Sequence, residues 1–124
     1  MSDEIKIFKK KLADVGIVAL VGDVTSLSEE QIINSYEEFA DDGLHLIIFD
    51  FALVSYINSS GIAILIGIVN KAKQKGQIIS VAGLAPHFQK IFKMVGLTRF
   101  IQLHDSVENA LNSKGVNPDV SISN

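Results

Sequence analysis

The chain has 124 residues, of which 48% are hydrophobic and 20% charged, and this composition supplies enough apolar material for one compact domain. It contains no cysteine, which excludes disulfides, a thiol nucleophile and a zinc–thiolate site, and makes a reducing compartment the natural default. A net charge of −3 argues against a nucleic-acid-binding protein, because such proteins usually present a basic face. No secretory signal is evident, and the longest apolar run, residues 62–69, is far shorter than the ~20 residues of a membrane span. We therefore expect a cytoplasmic protein without membrane insertion.

Two strands are predicted at the start of the chain. Residues 4–10 carry Ile5 and Ile7 at alternate positions, and residues 15–21 form a run rich in β-branched side chains. Because Ala13-Asp14 between them marks a turn, the two strands are predicted to form an antiparallel hairpin.

A helix is predicted to follow this hairpin. Ser28 and Gln31 have the spacing of a capping box, and Leu27 with Ile32 has the spacing of a hydrophobic staple. Gly43 is expected to end the helix. The apolar positions that repeat with the helical period form its predicted buried stripe: Ile32, Ile33, Tyr36, Phe39 and Ala40.

The rest of the chain alternates predicted strands and helices. The strands are expected at residues 44–51, 77–82 and 99–103, and the helices at residues 59–75, 86–95 and 106–114. Strands separated by helices pair in parallel through right-handed crossovers. The sequence thus predicts an α/β fold with a mixed sheet of about five strands, an antiparallel hairpin at its edge and about four helices. Residues 117–124 show no periodicity and are expected to be a frayed tail.

The motif Asn58-Ser59-Ser60-Gly61 joins a predicted strand to a predicted helix. Its two hydroxyls should therefore lie at a helix N-terminus, where backbone N–H groups lack partners and the helix dipole is positive. A serine at this position can cap the helix, and a phosphate attached to it is stabilised. Both interpretations of Ser59, as a cap or as a switch, follow from the motif alone.

The surroundings of the motif resemble the STAS domain of bacterial anti-sigma-factor antagonists. In that family an aliphatic strand ends in Asp, as at Asp50 here, a short loop with Val follows, as at Val54, and then an Asp-Ser-Ser/Thr-Gly turn opens an apolar helix. The resemblance continues with an amphipathic helix closed by Gly96-Leu97, a strand and a last helix carrying Ala110-Leu111. It covers most of the chain, and the STAS domain is assigned to residues 4–115.

The resemblance implies a function in partner switching. Ser59 matches the serine that is phosphorylated in the family. The implied partners are an anti-sigma factor with serine kinase activity, which binds the unmodified form, and a serine phosphatase. The residues expected at the partner-binding surface surround Ser59 or follow the second strand: Asp23, Thr25, Asn58, Ser60, Gly61 and Ile62. This chain has Asn58 where the family usually has Asp, and Asp23 is shifted relative to the family's acidic position.

The helix after Ser59 is apolar nearly all round, so its side chains cannot all face one sheet. Neighbouring elements could bury both flanks, but we expect an exposed apolar patch near Ser59, because such patches usually mark partner sites. The seven side chains concerned are Ile62, Ala63, Ile64, Leu65, Ile66, Ile68 and Val69.

Two other functions remain open from the sequence. A STAS module could serve as a scaffold in a signalling complex or as a subunit of a lipid-transport system, with Ser59 only capping a helix. A small serine hydrolase is disfavoured, because the Gly-x-Ser-x-Gly turn is missing around both Ser59 and Ser60. The histidines, His45, His87 and His104, are not paired as metal ligands, and no phosphate-binding glycine motif occurs. No catalytic residue, metal or cofactor is predicted.

Overall fold

Strands and helices alternate along the part of the chain that the structure describes. The computed structural model describes residues 4–116. The strands are β1 (Lys6–Leu12), β2 (Val15–Val24), β3 (Leu46–Ile57), β4 (Ile78–Ala82) and β5 (Ile101–His104). The helices are α1 (Glu29–Asp41), α2 (Ser59–Gln74), α3 (Pro86–Met94) and α4 (Val107–Ser113), with 3-10 turns at Ser26–Ser28 and Leu97–Arg99. The predicted tail, residues 117–124, lies outside the described residues.

The five strands form one mixed sheet in the order β1-β2-β3-β4-β5. β1 pairs with β2 in antiparallel orientation, and each later pair is parallel, because a helix connects one strand to the next. In the hairpin turn between β1 and β2, Ala13 has a positive φ of 55°. The α/β fold predicted from the sequence, with its antiparallel hairpin at the edge, is therefore confirmed.

The two faces of the sheet are covered unequally. Side chains alternate along a strand, so Ile47 and Ile48 point to opposite faces. On the face of Ile47, which we call the α2 face, α1, α2 and α3 enclose the main core. On the face of Ile48, which we call the α4 face, a smaller cluster includes Leu111 of α4, and Val116 packs against it.

The buried stripe predicted for α1 and the position of its N-cap, Ser28, are confirmed, whereas the predicted capping box and hydrophobic staple are wrong. Ser28 makes no side-chain capping bond to α1. Its Oγ instead accepts a hydrogen bond from Thr25 N at 2.9 Å, and Thr25 Oγ1 accepts one from Leu27 N at 3.2 Å. The capping box thus belongs to the 3-10 turn before α1. Leu27 is 92% exposed, so it forms no hydrophobic staple with Ile32. Ser28 is still the N-cap residue of α1, but the capping box is formed three residues earlier, by Thr25 and Ser28 of the 3-10 turn.

β3 is longer than predicted. The periodicity ended this strand at Phe51, whereas the structure extends it to Ile57. β4 accompanies β3 only as far as the pair Asp50–Ala82, so the continuously apolar segment stops near that point. β3 then continues along β2 until Ile57 lies opposite Val24, with two register shifts on the way. These irregularities interrupt the alternation of apolar and polar residues, which is why the segment resembled a loop.

Candidate partner-binding site

α2 begins at the end of the sheet where β2 and β3 finish. Asn58 has an extended backbone (φ −97°, ψ −177°), and its N–H donates to the carbonyl of Val24 at 3.2 Å. Its Oδ1 accepts a hydrogen bond from Gly61 N at 2.9 Å. Asn58 is therefore the N-cap of α2. The capping role considered for Ser59 is wrong, because Ser59 is already the first helical residue.

Gly61 brings the start of α2 into direct contact with the end of β2. A Cβ atom at this position would lie 2.3 Å from the carbonyl oxygen of Val24 and 2.9 Å from Cγ2 of Ile57. No side chain fits in that space, and the nearest obstacle is backbone, which cannot rotate away. The glycine of the motif is thus required by a tertiary contact, which fixes the position of Ser59 relative to the sheet.

Ser59 and Ser60 present free hydroxyls at the start of α2. Both residues are exposed, and no hydrogen bond engages either hydroxyl within residues 4–116. The first turn of the helix carries no acidic side chain. The N–H groups of Ser59 and Ser60 precede the first intrahelical bond, which Ile62 N donates to Asn58 O at 3.0 Å. A negative group attached to either hydroxyl would therefore lie at the positive end of the helix without an acidic neighbour in that turn.

The 3-10 turn Ser26–Ser28 packs beside α2. Thr25 directly follows Val24, the residue that contacts Gly61, and its capping box holds the turn in place. Leu27 projects from this turn and is almost fully exposed. It is a candidate contact residue that the sequence analysis missed, because Leu27 was assigned to a staple. The sequence did contain a signal for the 3-10 turn that presents Leu27. Thr25 and Ser28 have the same capping-box spacing as Ser28 and Gln31.

The exposed apolar patch on α2 is narrower than expected. Of the seven apolar side chains predicted to surround the helix, five are buried, and only Ala63 and Ile66 are exposed. Ile66 exposes 39% of its surface, whereas Ile62 exposes 9% and belongs to the main core. Neighbouring elements thus bury most of the helix, and Ala63 and Ile66 form a short exposed stripe.

Asp23 lies at the same end of the sheet as Ser59 but on the other face. Its neighbour Val24 points into the main core under α2, so Asp23 points to the α4 face. There it pairs with Tyr56 across β2 and β3 and borders a shallow depression with Lys6. The structure therefore brings Thr25, Asn58, Ser60 and Gly61 together near Ser59. Asp23 lies at the same end of the sheet but on the opposite face.

The remaining polar candidates are separate from this site. His45 and His87 are exposed, and Nε2 of His104 is buried without a hydrogen-bond partner in the described chain. Residues 4–116 contain no group of three or more acidic or histidine side chains that could hold a metal ion. No helix in this range has the length and apolarity needed to cross a membrane.

The electrostatic contacts of α2 lie at its other end. Glu37 of α1 accepts a hydrogen bond from Lys71 Nζ at 2.8 Å, and this bond holds the pKa of Glu37 below its usual value. Burial raises the pKa of the neighbouring Tyr36, whose hydroxyl donates to Gln77 Oε1 at 2.7 Å. Lys71 lies about 18 Å along the helix axis from Ser59, so these groups do not act on the hydroxyl.

The sequence and fold of this chain are similar to those of known proteins. The model of the STAS domain family matches residues 6–110. A curated protein of Bordetella bronchiseptica, provisionally named the anti-sigma factor antagonist BtrV, is 24% identical over 105 residues, which cover 85% of this chain and 90% of that protein. An anti-sigma factor antagonist from Mycobacterium paratuberculosis has a crystal structure with a TM-score of 0.78 at 18% identity, covering 91% of this chain and 96% of its own. The structure of the Bacillus cell fate determinant SpoIIAA in its phosphorylated form has a TM-score of 0.71 at 19% identity. The match covers 88% of this chain and 99% of the SpoIIAA chain. At these identities the two structures establish a shared fold.

Proposed function

This chain belongs to the STAS domain family, and we propose that it acts in the cytoplasm as an anti-sigma-factor antagonist in a partner-switching pathway. With Ser59 unmodified it binds an anti-sigma factor that has serine kinase activity. Phosphorylation of Ser59 releases it, and a serine phosphatase restores the binding form. The observation that carries this proposal is the free, exposed hydroxyl of Ser59 at the start of α2. The domain is then a binding module and not an enzyme.

The position of Ser59 separates the stability of the domain from its affinity for a partner. A phosphate adds about −1.5 to −2 charges at pH 7. The helix N-terminus accommodates that charge, whereas an interface formed around a neutral serine would repel it or would have to desolvate it. Because Asn58 makes the capping bond, modification of Ser59 breaks no contact described above.

The proposed partner-binding surface has a polar centre and an apolar border. Asn58, Ser59 and Ser60 form the centre, with Thr25 beside them. Leu27 supplies apolar contact area at the border. Gly61 and Ile62 are buried beneath this surface and position it, and Asp23 contributes charge from the edge of the sheet.

The relatives support the same proposal. BtrV and the protein from Mycobacterium paratuberculosis are both named as anti-sigma factor antagonists. The SpoIIAA structure records a phosphorylated form of that protein. We transfer both properties to this chain because the family match includes the whole segment from β2 to α2.

Intact-mass spectrometry tests whether Ser59 is the acceptor. The protein is incubated with ATP and its cognate anti-sigma kinase, and the mass of one phosphate is expected on the wild type. Ser60→Ala is the matched control, because Ser60 is equally exposed one residue further along the helix. The proposal requires the added mass to remain in Ser60→Ala and to disappear in Ser59→Ala.

Calorimetry with the same kinase tests the switch itself. Wild type and Ser59→Ala are expected to bind with equal affinity, and Ser59→Asp much more weakly. Equal affinity for all three proteins would exclude the switch. Absence of phosphate on every variant would favour a STAS scaffold in which Ser59 is unmodified. Hydrolysis of an activated ester that is lost in Ser59→Ala would instead indicate a serine hydrolase.

Asn58 provides a further test of the phosphorylation step. An Asp at this position retains the capping oxygen but places a negative charge beside the phosphate, and it can also help to remove the serine proton. We expect the repulsion to dominate in a chain adapted to Asn, so that Asn58→Asp is phosphorylated more slowly than wild type. The measurement is a time course of intact mass with kinase and ATP. Faster phosphorylation of the variant would show that the carboxylate assists proton removal.

A further inference from the structure

Charge is distributed unevenly along the chain. Residues 51–104 contain six of the 11 Lys and Arg residues and none of the 14 Asp and Glu residues. This segment includes α2, α3 and the 3-10 turn Leu97–Arg99. Although the net charge of the chain is −3, the surface formed by these elements is therefore basic.

Four of these six cations form no ion pair within residues 4–116: Lys73, Lys90, Lys93 and Arg99. All four side chains are exposed. The other two cations point towards α1, where Lys71 bonds Glu37 and Lys75 approaches Asp41. The positive charge that is not neutralised thus lies on the side of α2 away from α1, on α3 and on the 3-10 turn.

The four unpaired cations lie close together at the C-terminal ends of α2 and α3. Lys90 and Lys93 are one helical turn apart on the exposed side of α3. Arg99 belongs to the 3-10 turn that packs against the end of α3. Lys73 meets this turn from α2, because its Nζ lies 4.7 Å from the centre of the Phe100 ring. Lys73, Arg99 and Phe100 border one depression.

Apolar side chains project from among these cations. Met94 is 83% exposed, Phe100 52% and Val95 49%. Met94 lies one turn from Lys90 on α3, so an apolar and a basic side chain share the outer side of the helix. Single exposed apolar residues are ordinary, whereas a group of them marks an interaction surface. We call this surface the basic patch, and it consists of Lys73, Lys90, Lys93, Met94, Val95, Arg99 and Phe100.

We propose that the basic patch binds the surface of an anionic lipid bilayer without spanning it. Its cations contact the negative headgroups, and Met94, Val95 and Phe100 enter the boundary between headgroups and acyl chains. Each cation near such a surface raises the affinity about fivefold. Four cations and three apolar side chains supply the two signals that reversible peripheral binding requires.

The composition of the basic patch favours a lipid surface over a macromolecular partner. Three of its four cations are lysines, which are depleted in protein interfaces but act at a charged membrane while they keep their hydration. A protein partner would also have to provide a groove for the projecting Met94, whereas lipids rearrange around it. A nucleic acid would offer no apolar contact to Met94 or Val95.

The basic patch and the proposed partner-binding site lie at opposite ends of α2. Lys73 is about 21 Å along the helix axis from Ser59. The patch precedes the start of β5, whereas Ser59 follows the end of β3. A domain bound to a bilayer through the basic patch therefore keeps Ser59 accessible to a kinase. The proposal does not depend on phosphorylation of Ser59.

Co-sedimentation of the full chain with vesicles tests the proposal. Vesicles of phosphatidylglycerol with phosphatidylcholine are expected to bind it, and vesicles of phosphatidylcholine alone are not. Binding should weaken as salt is added, because the charges are screened. The double variant Lys90→Gln, Lys93→Gln should bind at least about tenfold more weakly. The matched control is Lys6→Gln, Lys11→Gln, which removes the same charge from exposed positions of β1 and should bind like the wild type.

A fluorescent reporter tests whether the apolar side chains enter the bilayer. The chain contains no tryptophan, so Met94→Trp provides a single reporter at an exposed position. On anionic vesicles its emission should shift to shorter wavelength, and brominated lipid should quench it. Leu53→Trp is the matched control, because Leu53 is 66% exposed on β3, outside the basic patch. That variant should show neither change.

Three results would overturn the proposal. The first is a wild type that does not bind anionic vesicles, and the second is equal loss of binding in the two double lysine variants. The third is equal quenching of the two tryptophan reporters. Binding of soluble polyglutamate or of a DNA oligonucleotide without binding of vesicles would assign the basic patch to an acidic protein or to a nucleic acid instead. No variant changes Ser59, so these outcomes are independent of the proposed switch.

Discussion

The two ends of α2 differ in how their polar groups are used. At the C-terminal end, Lys71 bonds Glu37 at 2.8 Å, and Nζ of Lys75 lies 4.0 Å from a carboxylate oxygen of Asp41. Nζ of Lys73 lies 4.7 Å from the centre of the Phe100 ring. These cations complement the helix dipole and join α2 to its neighbours. At the N-terminal end, the helix carries no charge, and the hydroxyls of Ser59 and Ser60 remain free in the described chain.

This difference shows where a modification can be accommodated. A new charge among Lys71, Lys73 and Lys75 would alter existing contacts with α1 and with the Phe100 ring. A new charge on Ser59 would meet only solvent and unpaired N–H groups. The N-terminal end is nevertheless not loosely attached, because Gly61 packs directly on the backbone of Val24. Rigid backbone beneath a free side chain is a suitable arrangement for a surface that changes charge without changing fold.

The largest effect is expected from Gly61→Ala. The added Cβ would collide with the carbonyl oxygen of Val24, so the start of α2 must move away from β2. We expect a loss of about 3 kcal/mol in the free energy of unfolding, measured by urea denaturation. Gly67→Ala is the matched control in the same helix, because nothing lies within 4 Å of a Cβ there. That variant should gain about 0.5–1 kcal/mol from helix propensity. Equal responses would show that the contact with Val24 is not restrictive.

Asn58→Ala is expected to have a moderate effect. It removes the oxygen that accepts from Gly61 N, and the loss of an N-cap costs about 1 kcal/mol. Asn58→Asp retains an acceptor and places a negative charge near the positive end of the helix, so its stability should equal or exceed that of wild type. Urea denaturation of the three proteins measures the differences. If Asn58→Ala proved as stable as wild type, the cap would contribute nothing to folding.

Substitutions of Ser59 should affect stability less than those of Asn58. Ser59 makes no capping bond and is exposed, so we expect Ser59→Ala and Ser59→Asp to remain within about 0.5 kcal/mol of wild type. Thermal unfolding followed by circular dichroism is sufficient to detect a larger change. A substantial loss in Ser59→Asp would mean that the start of α2 does not tolerate a negative charge, and weak partner binding by that variant would then reflect misfolding.

The smallest effect is expected at the other end of the helix, from Glu37→Gln. The bond with Lys71 lowers the pKa of Glu37 below its ordinary value of 4.5, so the stabilisation is present above pH 4.5 and is lost as the pH falls through the lowered pKa. Both side chains are exposed to solvent, which weakens the pair. The melting temperature of Glu37→Gln should therefore be slightly lower than that of wild type at pH 7, and the difference should vanish in acid. A difference that grew on acidification would contradict this assignment.

The sequence by itself determined the order of the elements, the mixed sheet and the motif at the start of α2, because apolar periodicity and helix-start signals are local. The tertiary structure decided which of the candidate residues performs each local role, such as capping a helix. Asn58 and Ser59 are both good capping residues, and only the path of β3 leaves Asn58 extended at the cap position. The full length of β3 depends on pairing with β2, and the need for glycine at position 61 depends on Val24, far away in the chain. Such contacts join distant segments, and no local pattern records them.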